Sequence, residues 1–195
     1  MKVGVVFGVL LTLLVGTVAS GASLEGWEAF LGLWVNMLPD GSPTRVIIEG
    51  SDQSSLSFRG YGACIPTDCD WGSAPLWIYG EGSVDATEAT MGVAYWESGF
   101  SENIVTIRFQ NPVSKSVLIV DHYTRFTDAS GRPSYHTIGY LRSTCDCDGP
   151  DLDCKDFLSH AEAQACYDYC LDMGYGDVFG LDRDGDGSAC EALQE

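Results

Sequence analysis

Between residues 24 and 144 the chain never sustains a helical repeat; short apolar runs alternate with turn residues throughout. That pattern confines this stretch to an all-β domain. Strands are predicted over 31–37, 44–49, 55–62, 75–81, 89–97, 103–110, 116–126 and 134–142. Turn chemistry stands between them at Leu38-Pro39-Asp40-Gly41, Asn111-Pro112 and Asp128-Ala129-Ser130-Gly131. Eight successive strands imply an up-and-down β-barrel, because closure removes the unpaired edges that an open sheet of this length leaves exposed.

Ahead of the strands, residues 3–19 form an apolar run behind Lys2, followed by the small residues Ala19-Ser20-Gly21-Ala22-Ser23. Residues 1–23 therefore read as a secretory signal peptide. The alternative is an uncleaved anchor, since the run is near the lower length limit for a membrane span. Removal of the signal leaves no stable membrane span and makes the protein secreted, extracellular or periplasmic. Eight cysteines in an exported chain, an even number, point to disulfides in an oxidising compartment. Cys64 and Cys69 bracket a short turn and are expected to bridge each other. Cys145 and Cys147 lie on an extended segment, and Cys166 and Cys170 stand four apart on one face of a predicted helix. Two bridges are expected between those pairs, crossing either way; a four-thiolate zinc site is the alternative. The helix is predicted from Ser159 and Glu162, spaced as a capping box, to about Met173, with Gly174 as its left-handed stop.

The chain carries a formal net charge of −18. Residues 145–195 hold 14 acids against Lys155 and Arg183, a net −12. Neutralising phosphates needs a basic surface, so nucleic acid is not the expected partner, while multivalent cations are favoured.

The acids converge on Asp182-Arg183-Asp184-Gly185-Asp186-Gly187-Ser188-Ala189-Cys190-Glu191. A calcium loop of the EF-hand kind takes carboxylates at its first, third and fifth positions, glycine at the sixth, a backbone carbonyl at the seventh and a glutamate at the twelfth. Asp182, Asp184, Asp186, Gly187 and the carbonyl of Ser188 fit the first five roles. The closing acid arrives at the tenth position as Glu191, and the twelfth is Leu193, so this is a shortened loop rather than an EF-hand. Together with Asp153-Cys154-Lys155-Asp156-Phe157 and Ala161-Glu162-Ala163-Gln164-Ala165, the loop resembles the Excalibur domain, a small extracellular calcium-binding module of bacteria, over roughly residues 150–195. The resemblance implies a helix followed by the loop, a Cys154–Cys190 disulfide, and Ca2+ held by Asp182, Asp184, Asp186 and Glu191. The expected organisation is thus a signal peptide (1–23), a β-barrel domain (24–144), an acidic linker (145–153) and a calcium-binding module (154–195).

Phe30-Leu31-Gly32-Leu33-Trp34 resembles the opening Gly-x-Trp motif of lipocalins and related calycins. In those barrels a basic residue near the end of the last strand covers the tryptophan, and Arg142 occupies that place in sequence. This resemblance implies a barrel that holds one small ligand. Trp71, Trp77, Trp96, Tyr79 and Tyr95 are candidate walls for an apolar or sugar-stacking pocket, although alternation does not put all five on one face.

No recognisable catalytic constellation is present: there is no Gly-x-Ser-x-Gly elbow, no His-Glu-x-x-His and no phosphate loop. If the last hairpin turns at residues 128–131, His122 faces Thr137 and His136 faces Tyr123, which puts the two rings on opposite faces. Asp121 beside His122, and the pair Asp68 and Asp70, are the remaining acid-base candidates, each more often structural. The expectation is a secreted, calcium-binding bacterial protein whose barrel binds a small apolar ligand or a cell-envelope component. The alternative is a secreted hydrolase using calcium, because Excalibur-like modules also occur attached to extracellular nucleases.

Overall fold

The computed structural model of the protein describes residues 23–38, 42–65, 67–157 and 159–193. The expected signal peptide and most of the 38–41 turn lie outside the described residues. The strands are β1 (Gly32–Asn36), β2 (Arg45–Glu49), β3 (Ser57–Gly62), β4 (Cys69–Tyr79), β5 (Met91–Ser98), β6 (Ser101–Phe109), β7 (Leu118–Phe126) and β8 (Tyr135–Cys145), followed by one helix, α1 (His160–Asp172). Each strand pairs antiparallel with the next, and β8 returns to β1, giving a closed up-and-down barrel.

Strand ends fall close to those read from the sequence, except that β4 begins at Cys69 and β8 runs on to Cys145. The early start of β4 has a local cause. Pairing with β3 shifts between Arg59 and Tyr61, so an additional β4 residue is accommodated opposite Gly60, and Gly72 takes the required positive φ of 80°. The bulge reverses the inward–outward alternation. Below it Ala74, Leu76 and Ile78 face in; above it Asp70 turns outward to Arg59 while Trp71 turns inward.

Alternation on the other strands builds the barrel in layers. Phe109 lies opposite Leu118, Ile107 opposite Val120, Val105 opposite His122, Asn103 opposite Thr124 and Ser101 opposite Phe126. The interior therefore passes from wholly apolar at one end to polar and aromatic at the other. Phe30, on a short 3-10 turn (Trp27–Phe30), closes the apolar end by stacking on Phe109 with ring centroids 4.5 Å apart. Trp34 donates its indole N–H to the Phe30 carbonyl at 2.9 Å, which locks that plug in place. Core side chains occupy the interior from this end to the level of Val105, and a cavity opens above it.

A second core lies on the outside of the barrel. Leu33, Val35 and Ile47 point away from the interior and are covered by Phe157, Ala163, Cys166 and Leu181 of the C-terminal region. Disulfides Cys145–Cys166 and Cys147–Cys170 staple α1 to the end of β8, and Cys154–Cys190 ties the start of this region to its end. Cys64–Cys69 closes the turn between β3 and β4. All eight cysteines are paired in disulfides, the arrangement expected of an exported chain rather than the four-thiolate alternative. The acidic segment after Cys145 is a clamp rather than a tether.

Helix α1 is capped by Ser159, whose hydroxyl accepts the N–H of Glu162 at 3.2 Å. It ends as expected: Gly174 has φ 85°, and Tyr175 N–H reaches back to the Cys170 carbonyl at 2.9 Å. The Glu162 carboxylate, almost wholly buried, takes two hydrogen bonds from Arg142 at 2.8 Å each. Arg142 stands opposite Val35, on the outer face of the barrel, whereas Trp34 is inside. Arg142 thus docks α1 and does not cover the tryptophan, contrary to the lipocalin-based expectation.

Candidate functional site

Two places concentrate chemistry, the acidic loop after α1 and the open end of the barrel. In the loop, carboxylate oxygens of Asp182, Asp184 and Asp186 all lie within 4.8 Å of one another. Backbone geometry brings them there. Gly185 and Gly187 have φ of 76° and 91°, a region that disfavours side chains with a Cβ, so the chain curls around the Asp182 side chain. Asp182 Oδ1 accepts the N–H groups of Gly185 (2.9 Å) and Asp186 (3.2 Å). Its Oδ2 accepts Gly187 N–H (2.9 Å) and the Tyr167 hydroxyl (3.1 Å). These donors, Gly187 above all, hold the Asp182 carboxyl below the usual range, so it stays ionised.

Helix α1 secures the far side of the loop. Gln164 donates to the Gly187 carbonyl at 3.1 Å and accepts from Ala189 N–H at 2.7 Å. His160 Nε2 lies 3.3 Å from the Ser188 hydroxyl, and Ser188 N–H donates to Asp186 Oδ1 at 2.9 Å. Cys190, at φ 54° and bridged to Cys154, returns its N–H to the Leu181 carbonyl at 2.9 Å. No donor reaches Asp184 among the described residues. Glu191 is exposed just past Cys190 and stands outside the convergent group of three aspartates. The donor set is hard oxygen throughout, which suits Ca2+ or Mg2+ better than a thiophilic metal.

The open end of the barrel is a cavity of about 570 Å3. Of the five aromatics singled out in the sequence, Trp71 and Trp96 face into it; Trp77, Tyr79 and Tyr95 are exposed on the outer surface. Trp71 enters because of the bulge in β4 and because β3 offers glycines beneath it: a Cβ on Gly60 would stand 2.4 Å from the indole, and one on Gly62 2.8 Å. Trp71 and Trp96 lie 6.1 Å apart with planes 24° from parallel, and the His122 ring is 4.5 Å from the first and 5.6 Å from the second.

His122 is 4% exposed, and burial lowers its pKa to about 4, with a smaller contribution from the charge of His136. The ring is therefore neutral near pH 7. Its Nε2 lies 3.1 Å from both Asn103 Oδ1 and Thr124 Oγ1, and Thr124 donates to the same Oδ1 at 3.1 Å. Asn103 Nδ2 continues the chain to Ser101 and Ser98. Sequence reasoning weighed His122 only as a strand residue or as a partner of Asp121, and it did not find Asn103 or Thr124. The signal was available as polar residues at inward parity on β6 and β7, in the layer above Val105 and His122.

The remaining acid-base candidates separate. Asp121 points to the outer face, where it pairs with Arg108 and accepts from His136 at 3.0 Å. His122 faces Thr137 and His136 faces Tyr123, as the hairpin register requires. Asp68 accepts from the Thr44 hydroxyl at 2.8 Å, while Asp70 binds Arg59 and Gly72 N–H, so no carboxylate pair forms. Among the described residues no helix is long and apolar enough to cross a membrane. Compared with known protein families, with curated proteins and with solved structures, the chain matches none.

Proposed function

We propose that this is a secreted calcium-binding protein, with an Excalibur-like module docked on a lipocalin-like barrel that takes a small ligand at its open end. The observation that carries the metal reading is the convergence of Asp182, Asp184 and Asp186 oxygens within 4.8 Å on a loop whose backbone N–H groups already order the first of them. Three carboxylates so close repel one another unless a cation intervenes. Asp184 is free to turn both oxygens to the ion, Asp186 keeps Oδ2 uncommitted while Oδ1 accepts Ser188 N–H, and at Asp182 the ion takes the place of a present donor, since four donors match the lone-pair directions of a carboxylate. The Ser188 carbonyl and Glu191 complete the proposed set. Disulfide cross-linking by all eight cysteines fits an oxidising, extracytoplasmic compartment.

Extracellular calcium modules bind at about 10⁻⁴ to 10⁻³ M, so occupancy follows environmental calcium. Calorimetric titration of the oxidised protein with CaCl2 tests the reading. One site in that range is expected, abolished in Asp184→Ala; no heat at millimolar calcium, or unchanged uptake by the variant, removes it.

A further inference from the structure

The barrel cavity carries more information about its occupant than its size. Within the network Ser98–Ser101–Asn103–Thr124–His122, hydrogen-bonding groups are spent on each other. The triangle of Nε2, Asn103 Oδ1 and Thr124 Oγ1 fixes the imidazole tautomer. Without a hydrogen, Nε2 would face the carbonyl-type Oδ1 at 3.1 Å as acceptor against acceptor, because the single Thr124 hydrogen is already directed to Oδ1. Nε2 therefore carries the proton, and Nδ1 holds a lone pair. No protein donor meets Nδ1 among the described residues, and it is not among the fully enclosed unpaired polar atoms, so the lone pair is reachable from the cavity that His122 lines.

Three further observations restrict what can sit there. The charged groups lining the cavity are already engaged: Arg132 binds Asp128 and lies 3.8 Å over the Phe126 ring, and Asp70 binds Arg59. An ionic ligand would lose hydration without gaining a counter-charge. The barrel is filled from Val105 downward, so a long acyl chain has no depth to enter. A sugar stacks on tryptophan but brings several hydroxyls, and most of the polar groups deep in the cavity are already engaged with one another.

Resting on the reading that the barrel takes a small ligand, we propose that its open end binds an uncharged, flat ring compound bearing an N–H or O–H group, the ring laid on Trp71 and Trp96 and the donor directed to Nδ1 of His122. The aromatic wall supplies affinity and the imidazole supplies selection. One missing hydrogen-bond donor leaves the buried acceptor unsatisfied, which corresponds to about ten-fold in affinity.

The test is calorimetric titration of the full, oxidised protein with indole and with 1-methylindole, alongside palmitate and a cello-oligosaccharide. Indole is expected to bind at one site about ten-fold more tightly than 1-methylindole. In His122→Phe the two indoles should become equivalent, whereas Trp71→Leu should weaken both and keep their ratio. Should the histidine variant fail to fold, the 15N resonance of Nδ1 in the unmodified protein is the substitute readout; it must shift with indole and stay put with 1-methylindole. Equal affinity for the two indoles overturns the role of His122. Binding of palmitate or the oligosaccharide without indole overturns the ligand class and leaves the small-ligand reading standing. Binding of none of the four removes both.

Discussion

Replacing His122 by glutamine should flatten the acid limb of the stability curve. In the folded protein the imidazole is buried against Trp71 and Trp96 and its pKa falls from 6.5 to about 4. The unfolded chain restores the ordinary value, so between those two pH values the unfolded state binds more protons, and folding becomes less favourable as pH falls. The native protein has its full advantage above pH 6.5 and loses it progressively down to pH 4. At 1.36 kcal/mol per unit, a displacement of that size amounts to about 3 kcal/mol, lost across the window. Glutamine does not titrate. Urea unfolding followed by tryptophan fluorescence from pH 4 to 7.5, run on both proteins, isolates the effect. Carboxylates elsewhere titrate in both and cancel in the difference, as does any constant cost of the substitution. The stability difference, wild type minus variant, should shrink by about 3 kcal/mol between pH 7 and pH 4. Parallel curves would refute the argument and mean that the ring is hydrated or remains charged in the fold.

Four other outcomes follow from the same geometry. Gly60→Ala places a Cβ 2.4 Å from the Trp71 indole and should cost about 1–3 kcal/mol by overpacking, with a shift in tryptophan emission, measured by denaturation and fluorescence. Glu162→Gln leaves Arg142 without its charged partner at the α1–barrel contact; a loss of about 3 kcal/mol is expected in chemical denaturation, and loosening of α1 should appear in amide exchange. Cys154→Ser with Cys190→Ser opens a loop spanning 36 residues, which chain entropy values at about 4 kcal/mol, and calorimetry should show weaker calcium uptake as the loop loses its anchor. Calcium at about a hundred times its Kd should raise the stability of the oxidised protein by about 2.7 kcal/mol, seen as a higher melting temperature that chelator reverses.

Much of the barrel was legible because strand periodicity and turn chemistry are local properties. His122 and His136 could be assigned to opposite faces from the position of one turn, and the structure pairs them with Thr137 and Tyr123 accordingly. Trp71 could not be assigned that way. Counting alternation upward from Ile78 puts it outside, and only the extra residue at the bulge, marked in sequence by Gly72 and by Gly60 and Gly62 across the strand pair, turns it in. Arg142 misled for a related reason. Its place near the end of the last strand was visible, but the sequence did not show that Leu33, Val35 and Ile47 make the outer face of β1 and β2 a second core, on which α1 sits and draws the guanidinium to Glu162.

By itself the sequence determined the elements: eight strands in order, one capped helix, an acidic loop with glycines where φ must be positive, and cysteines enough to cross-link them. Those depend on contacts between near neighbours in the chain. Only the tertiary structure decided which of Cys145 and Cys147 meets which turn of α1, where the barrel stops being filled, and that His122, Asn103 and Thr124 share one network beneath two tryptophans. Each of these rests on strand register and on packing between residues distant in sequence, where one inserted residue changes the face of everything beyond it.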